Sequence, residues 1–186
     1  HAEYEDSNKA DGIILLGYGD YVDYRDKLAK LEEQQTHFVR WGAHDVEHPG
    51  VSIGSDNVQG GYDITQHMIS LGRKQFAFIG GADKHCPEFF DRYIGFSKAL
   101  KQVDLKHDPL MQIDAISTED SGYQATCSLL ASGRSFDALV CASDLIAMGA
   151  MRALRDHHIS IPEQVAIAGY DNIPISSFAN PALTTV

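Results

Sequence analysis

The chain has 186 residues, 44% of them hydrophobic and 22% charged, and a formal net charge of −11. That length supports one hydrophobic core or a little more. The composition is that of an ordinary globular fold with no run long enough to span a bilayer, and the surplus of carboxylates excludes the basic stripe that grips a nucleic-acid backbone. The first ten residues are polar and aperiodic and read as a tail. Asp11–Gly17 (DGIILLG) is a buried-strand pattern closed by glycine. Tyr21–Gln35 places Tyr21, Tyr24, Leu28 and Leu31 at helical spacing, His37–Trp41 is a second strand, and His44–Gly50 is a turn-rich connection. A composition shift near Arg40–Gly42 sets a boundary there, giving a partial first subdomain over 11–40 and a second over 41–186.

From Val51 the pattern becomes regular. Val51–Ile53 is a strand, Asp56-Asn57 caps a helix over Val58–Leu71, and Gly72 stops it. Phe76–Ile79 is a strand, Ala82–Phe89 a loop, Asp91–Val103 a helix and Met111–Ile116 a strand. Ser121 opens a helix over Gly122–Ala131. The strand Ala138–Ala142 then passes through the start signal Ser143-Asp144 into a long helix, and after Pro162 a further strand, Val165–Ala168, ends in Gly169-Tyr170-Asp171. Thr184-Thr185-Val186 begins a last strand. This alternation predicts an α/β fold with a doubly wound, mainly parallel sheet flanked by helices. The polar start at His1 and the β-type run at Val186 read as cut ends, with a leader or another domain beyond them.

In an open parallel sheet, ligands bind beyond the carboxyl ends of the strands. The loops on that rim carry Arg40-Trp41, Cys86 to Arg92, Ser117 to Asp120, Ser143-Asp144 and Tyr170-Asp171. Arginine and aspartate can each bond two neighbouring hydroxyls, and aromatic rings such as Trp41, Phe89 and Phe90 can cover the C–H face of a sugar. Arg92 opposes the helix dipole at a helix start, which points to a specific partner for its charge. Asp171, at a strand end after glycine, reads as functional rather than as a turn residue. Asp144 is open between helix cap and ligand contact, and Phe89 and Phe90 between stacking platforms and loop anchors.

Chemistry-bearing motifs are missing. Gly17-Tyr18-Gly19 lacks the third glycine of a dinucleotide loop, GSDNVQGG (54–61) has no lysine for a phosphate loop, and no GxSxG elbow occurs. The three cysteines, Cys86, Cys127 and Cys141, form neither a CxxC pair nor an even framework. They read as free thiols in a reducing compartment. His157-His158 and His85-Cys86 lack metal-ligand spacing. The expectation is a binding protein with no metal, no cofactor and no enzymatic activity.

Four segments in order, SDNVQGGYDITQHMISLGRKQFAFIGG, DRYIGFSKAL, SDLIAMGAMRAL and IPEQVAIAGYDN followed by NPALTTV, resemble the effector-binding core of lactose-repressor-type (LacI/GalR) transcription regulators. The resemblance runs from Asp11 to the end, and GYDN with PALTT is its most specific part. It implies a type I periplasmic-binding-protein-like fold that lacks the family's helix-turn-helix, its hinge helix and the first half of its N-terminal subdomain. It further implies a small effector, usually a sugar or nucleobase, in a cleft between subdomains. Carried over by motif, Arg92 and Asp171 hold effector polar groups, Ser143 stands where Asn is frequent, and Ser117 falls where some members place an aromatic ring. Arg40, followed by Trp41, replaces a frequent Asp or Asn, which points either to an acidic effector or to a pairing of Arg40 with a rim carboxylate. The candidate effector-binding set is therefore Arg92, Asp171, Ser143, Ser117, Arg40, Trp41 and Phe90.

The helix after Ser143 is apolar nearly all round, so one side covers the sheet and the other lies either under the chain's own loops or against a partner. The resemblance implies the second, a homodimer seam through Leu145, Met148, Met151 and Arg152. The expected role is that of a cytoplasmic regulator contacting operator DNA through its missing N-terminal domain, without membrane contact. The alternative is a periplasmic sugar-binding protein of a transport system.

Overall fold

A computed structural model describes residues 11–16, 21–43, 50–83 and 85–186, with only the backbone described for 21–25. The polar opening stretch and most of the connection from His44 lie outside the described residues. The chain forms two compact units, residues 1–57 with 83–88, and residues 58–82 with 89–186.

The first unit holds a three-stranded parallel sheet, β1 (Ile13–Leu16), β2 (Phe38–Trp41) and β3 (Val51–Ile53), in that order, with helix α1 (Tyr21–Glu33) between β1 and β2. Val39 pairs with Val51, and Trp41 with Ile53. Because β3 pairs with β2, the first unit extends through Val51–Ile53 and does not end near Arg40. Side chains alternate across the sheet. Thus Arg40 is buried while Trp41, next in the chain, is exposed together with Leu16 and Ile53.

The second unit is a five-stranded parallel sheet in the order β5-β4-β6-β7-β8. Its strands are β4 (Phe76–Ile79), β5 (Gln112–Ile113), β6 (Ala138–Cys141), β7 (Ala166–Gly169) and β8 (Thr184–Thr185). The three central strands, FAFI, ALVC and AIAG, are buried at every position. Continuous apolar runs of this kind mark strands covered on both faces. The predicted strand Met111–Ile116 is shorter in the structure. Pro109–Met111 turns as a 3-10 helix capped by the Asp108 carboxylate, leaving only Gln112–Ile113 to pair with β4.

Four helices complete this region: α2 (Asn57–Ser70), α3 (Pro87–Gln102), α4 (Glu119–Ala131) and α5 (Asp144–Asp156). They pack as two pairs, and each pair crosses at two glycines. A Cβ at Gly61 would meet the Arg92 carbonyl at 2.2 Å, and one at Gly95 the Val58 carbonyl at 2.1 Å. In the other pair, Gly122 lies against the Ile146 carbonyl and Gly149 against the Glu119 carbonyl. A glycine inside a helix costs roughly 1 kcal/mol relative to alanine; here it admits a neighbouring backbone that no side chain would allow. The device repeats one level down. Thr65 and Thr126, both fully buried, donate their hydroxyls to the carbonyls of Gly61 and Gly122. This explains the apolar helix: the side of α5 turned from the sheet is covered by α4 of the same chain.

Helix starts differ from their expected positions for local reasons. Helix α3 begins at Pro87, a residue preorganised for a first helical turn, so Phe89 and Phe90 are helical rather than in a loop. Helix α4 begins at Glu119 because Thr118, not Ser121, is its cap and accepts from the Ser121 amide. Among the described residues, no helix is long and apolar enough to cross a membrane.

Candidate functional site

The connection from β4 to β5 runs to one side of β4, and the chain then returns past it to β6. The order therefore reverses at β4, and the crevice beyond the ends of β4 and β6 is the expected ligand position. The segments that follow these two strands carry Arg92 and Ser143.

Arg92 is the centre of the site. It sits in α3, 8% exposed. Its Nη1 donates to the Ala142 carbonyl and lies 3.2 Å from the Asp171 Oδ1. The guanidinium carbon stands 3.7 Å from the centroid of the Tyr170 ring and 5.5 Å from that of Phe89. A flat cation between a ring and a carboxylate has its plane and its charge fixed together. Gly60 makes room for this: a Cβ there would lie 2.3 Å from the Tyr170 hydroxyl.

Asp171 follows the end of β7 with φ of 102°, in the left-handed region, and Asn172 follows at 46°. The Asp171 amide donates to the Val186 carbonyl, which ties the turn to β8. Partial burial pushes the Asp171 carboxyl above the usual carboxylate range; Arg92 opposes this and nearby Asp144 adds to it. Its side chain remains 41% exposed and accessible to a ligand.

On the other side of Arg92, Ala142 leads into Ser143, which is buried and caps α5 by accepting from the Ile146 amide. The exposed Ser117 donates to the Ser143 Oγ at 2.8 Å. A connected line of polar groups thus runs Asp171, Arg92, Ala142, Ser143, Ser117. Four of the expected residues meet here.

Of the other three, two lie in the first unit. Arg40 and Trp41 belong to the first unit, on β2, with Arg40 only 5% exposed. Phe90 is half-buried, and the ring beside Arg92 is Phe89. Phe89 stands three residues before Arg92 on one helix and therefore shares its face; treating 82–89 as a loop hid that spacing. Tyr170 completes the cluster around Arg92, and its place in the GYDN segment was the signal that could have found it. Asp144 is neither the cap nor a surface ligand. It is the first helical residue, and its carboxylate is fully buried.

The seam residues divide likewise. Met151 is 2% exposed and packed in the core, so it faces no partner. Leu145 and Met148 are half-buried and Arg152 is exposed, its guanidinium 4.7 Å from the Tyr123 ring of α4. The turn Pro174–Phe178 is fastened near both ends of α5, through the Ile173 amide to Asp144 and through Arg155 to the Asn180 carbonyl. It presents Ile175 at 49% and Phe178 at 84% exposure.

A family model described as a periplasmic binding protein-like domain matches residues 65–186. The HTH-type transcriptional regulator RegA of Clostridium saccharobutylicum is 36% identical over 180 residues, 95% of this chain and 52% of that protein. The HTH-type transcriptional repressor PurR of Pasteurella multocida is 31% identical over 186 residues, all of this chain and 55% of the repressor. The structure of the transcriptional regulator CelR in complex with cellobiose has a TM-score of 0.87 and 29% identity, covering 99% of this chain and 56% of that one. The chain spans about half the length of the curated relatives it matches.

Proposed function

The chain belongs to the periplasmic binding protein-like domain family, in the form found in lactose-repressor-type regulators, and on that premise we propose that it is the effector-binding and dimerising part of a bacterial transcription regulator. In this reading it binds a sugar or sugar derivative and performs no chemistry on it. Operator DNA is contacted by a helix-turn-helix outside this chain, in the cytoplasm, and a net charge of −11 suits a part that does not itself touch DNA. The matched relatives are named as HTH-type regulators, which favours regulation over transport.

The observation that carries the reading is the Arg92–Asp171 pair at the switch point, flanked by Tyr170 and by the Ser117–Ser143 hydroxyl pair. A fixed donor plane beside an acceptor answers the alternating O–H groups of a polyol. The relative solved with cellobiose supports a sugar. The effector acts by binding one arrangement of the protein better than another, as any switch of this kind must. A thermal-shift screen of monosaccharides, disaccharides including cellobiose, and sugar acids should find a compound that raises the midpoint of the wild-type chain. A flat result across the panel counts against a sugar effector.

The dimer seam in this proposal runs over half-buried Leu145 and Met148 and exposed Arg152 on α5, and over exposed Ile175 and Phe178 on its bordering turn. Met148→Glu places a charge within that patch, at a half-buried position on the edge of the core. Sedimentation velocity should show the wild-type chain as a dimer and the variant as a monomer with unchanged circular dichroism. A variant that remains dimeric places the seam elsewhere.

A further inference from the structure

Asp144 is a charged side chain with no exposed surface, and three of its atoms hold one loop. Its Oδ1 accepts from the Thr185 hydroxyl at 2.6 Å, and its Oδ2 accepts from the Ile173 amide at 2.8 Å. Its own amide donates to the Tyr170 carbonyl at 2.8 Å. Thr185 Oγ1 in turn accepts from the Asn172 amide at 3.2 Å. Residues 170, 172 and 173 are thus tied to this carboxylate, directly or through one hydroxyl. Gly169 is part of the arrangement, since a Cβ there would lie 2.3 Å from Asp144 Oδ1.

Burying a carboxylate costs several kcal/mol unless its lone pairs are satisfied, and a helix cap needs no such burial; Ser143 already serves as the cap. The carboxylate encloses Asp171 and Asn172, the consecutive non-glycine residues with φ of 102° and 46°. Aspartate and asparagine visit left-handed backbone as single residues, but two in succession need neighbouring contacts to hold them there. The result of that geometry is the 3.2 Å approach of Asp171 to Arg92.

We propose that Asp144 is a positioning residue of the rim: its carboxylate, acting through Thr185 and the Ile173 amide, holds Asp171 in the left-handed turn that sets it against Arg92. The inference rests on the reading of Arg92 and Asp171 as the effector site. The same Oδ2 bond also anchors the turn bearing Ile175 and Phe178, so rim and seam share one buried support.

Thr185→Val keeps the β-branched shape and removes only the hydroxyl; Asp144→Ala removes the whole latch. In the chain with Thr185→Val, amide hydrogen exchange at Asn172 should rise at least tenfold while Leu139 and Val140 in β6 keep their wild-type rates. Asp171, followed by the carbon-13 shift of its carboxyl, should titrate at lower pH as the residue leaves its partly buried position. Asp144→Ala, if it folds, should extend the faster exchange to Ile173. Unchanged exchange at Asn172 with an unchanged Asp171 titration in Thr185→Val overturns the proposal. Acceleration spread equally into β6 also overturns it, because Asp144 would then serve general stability. Neither readout uses a ligand, so the absence of sugar binding would leave this test standing.

Discussion

Gly149→Ala is expected to lower unfolding stability by on the order of 3 kcal/mol, a large share of what a domain of this size possesses. The added Cβ would lie 1.9 Å from the Glu119 carbonyl oxygen and 2.6 Å from the Tyr123 amide nitrogen. Both are backbone atoms of α4, so no side chain can swing aside. Helix α4 must move off α5, and the Thr126 bond to the Gly122 carbonyl lies at the same crossing. Gly72→Ala is the control. Gly72 has φ of 86° and nothing within 4 Å of its hypothetical Cβ, so its cost is confined to the left-handed backbone, about 1 to 2 kcal/mol. Urea denaturation of both variants measures the difference. Equal midpoints would show that the α4–α5 crossing is not as tight as the structure has it.

The second large effect concerns binding. Arg92→Met should weaken sugar binding by at least about a hundredfold, close to what one or two hydrogen bonds from a charged donor contribute. Methionine retains much of the apolar stem against Tyr170 and Phe89 but loses the donors to Ala142 and Asp171. Arg92→Lys should also fail, because an ammonium has neither the plane that stacks on Tyr170 at 3.7 Å nor a forked donor set. Calorimetry on folded variants is the measurement, with near-wild-type circular dichroism as the requirement. An Arg92→Lys chain that binds as tightly as wild type would reduce the role of Arg92 to bulk charge.

Much of this molecule was legible in its sequence, and the misses have physical causes. The central strands were plain because FAFI, ALVC and AIAG are short apolar runs bounded by glycines and polar turns. Pairing was not. Val51–Ile53 carries no mark that says which strand it joins, and only the register of Val39 with Val51 places it in the first sheet. Helix starts shifted by a turn where two capping residues competed, as with Thr118 and Ser121. Arg92, Asp171, Ser143 and Ser117 could be grouped as candidates because their loops share one rim. Tyr170 and Phe89 escaped the candidate set because an aromatic beside a cation looks the same in sequence as an aromatic in a core. Met151 was misplaced for a related reason. Periodicity shows that a helix has two apolar faces, but not that α4 of the same chain covers one of them.

In the function proposed above, the Arg92–Asp171 rim binds a polyhydroxylated ligand. Calorimetric titration of the wild-type and Asp171→Ala chains with the compound that gives the largest thermal shift tests it most directly. Saturable binding to the wild-type chain is expected, with a loss of at least about thirtyfold in the variant, about 2 kcal/mol of a charge-assisted hydrogen bond. Equal affinity in the two folded chains would contradict it.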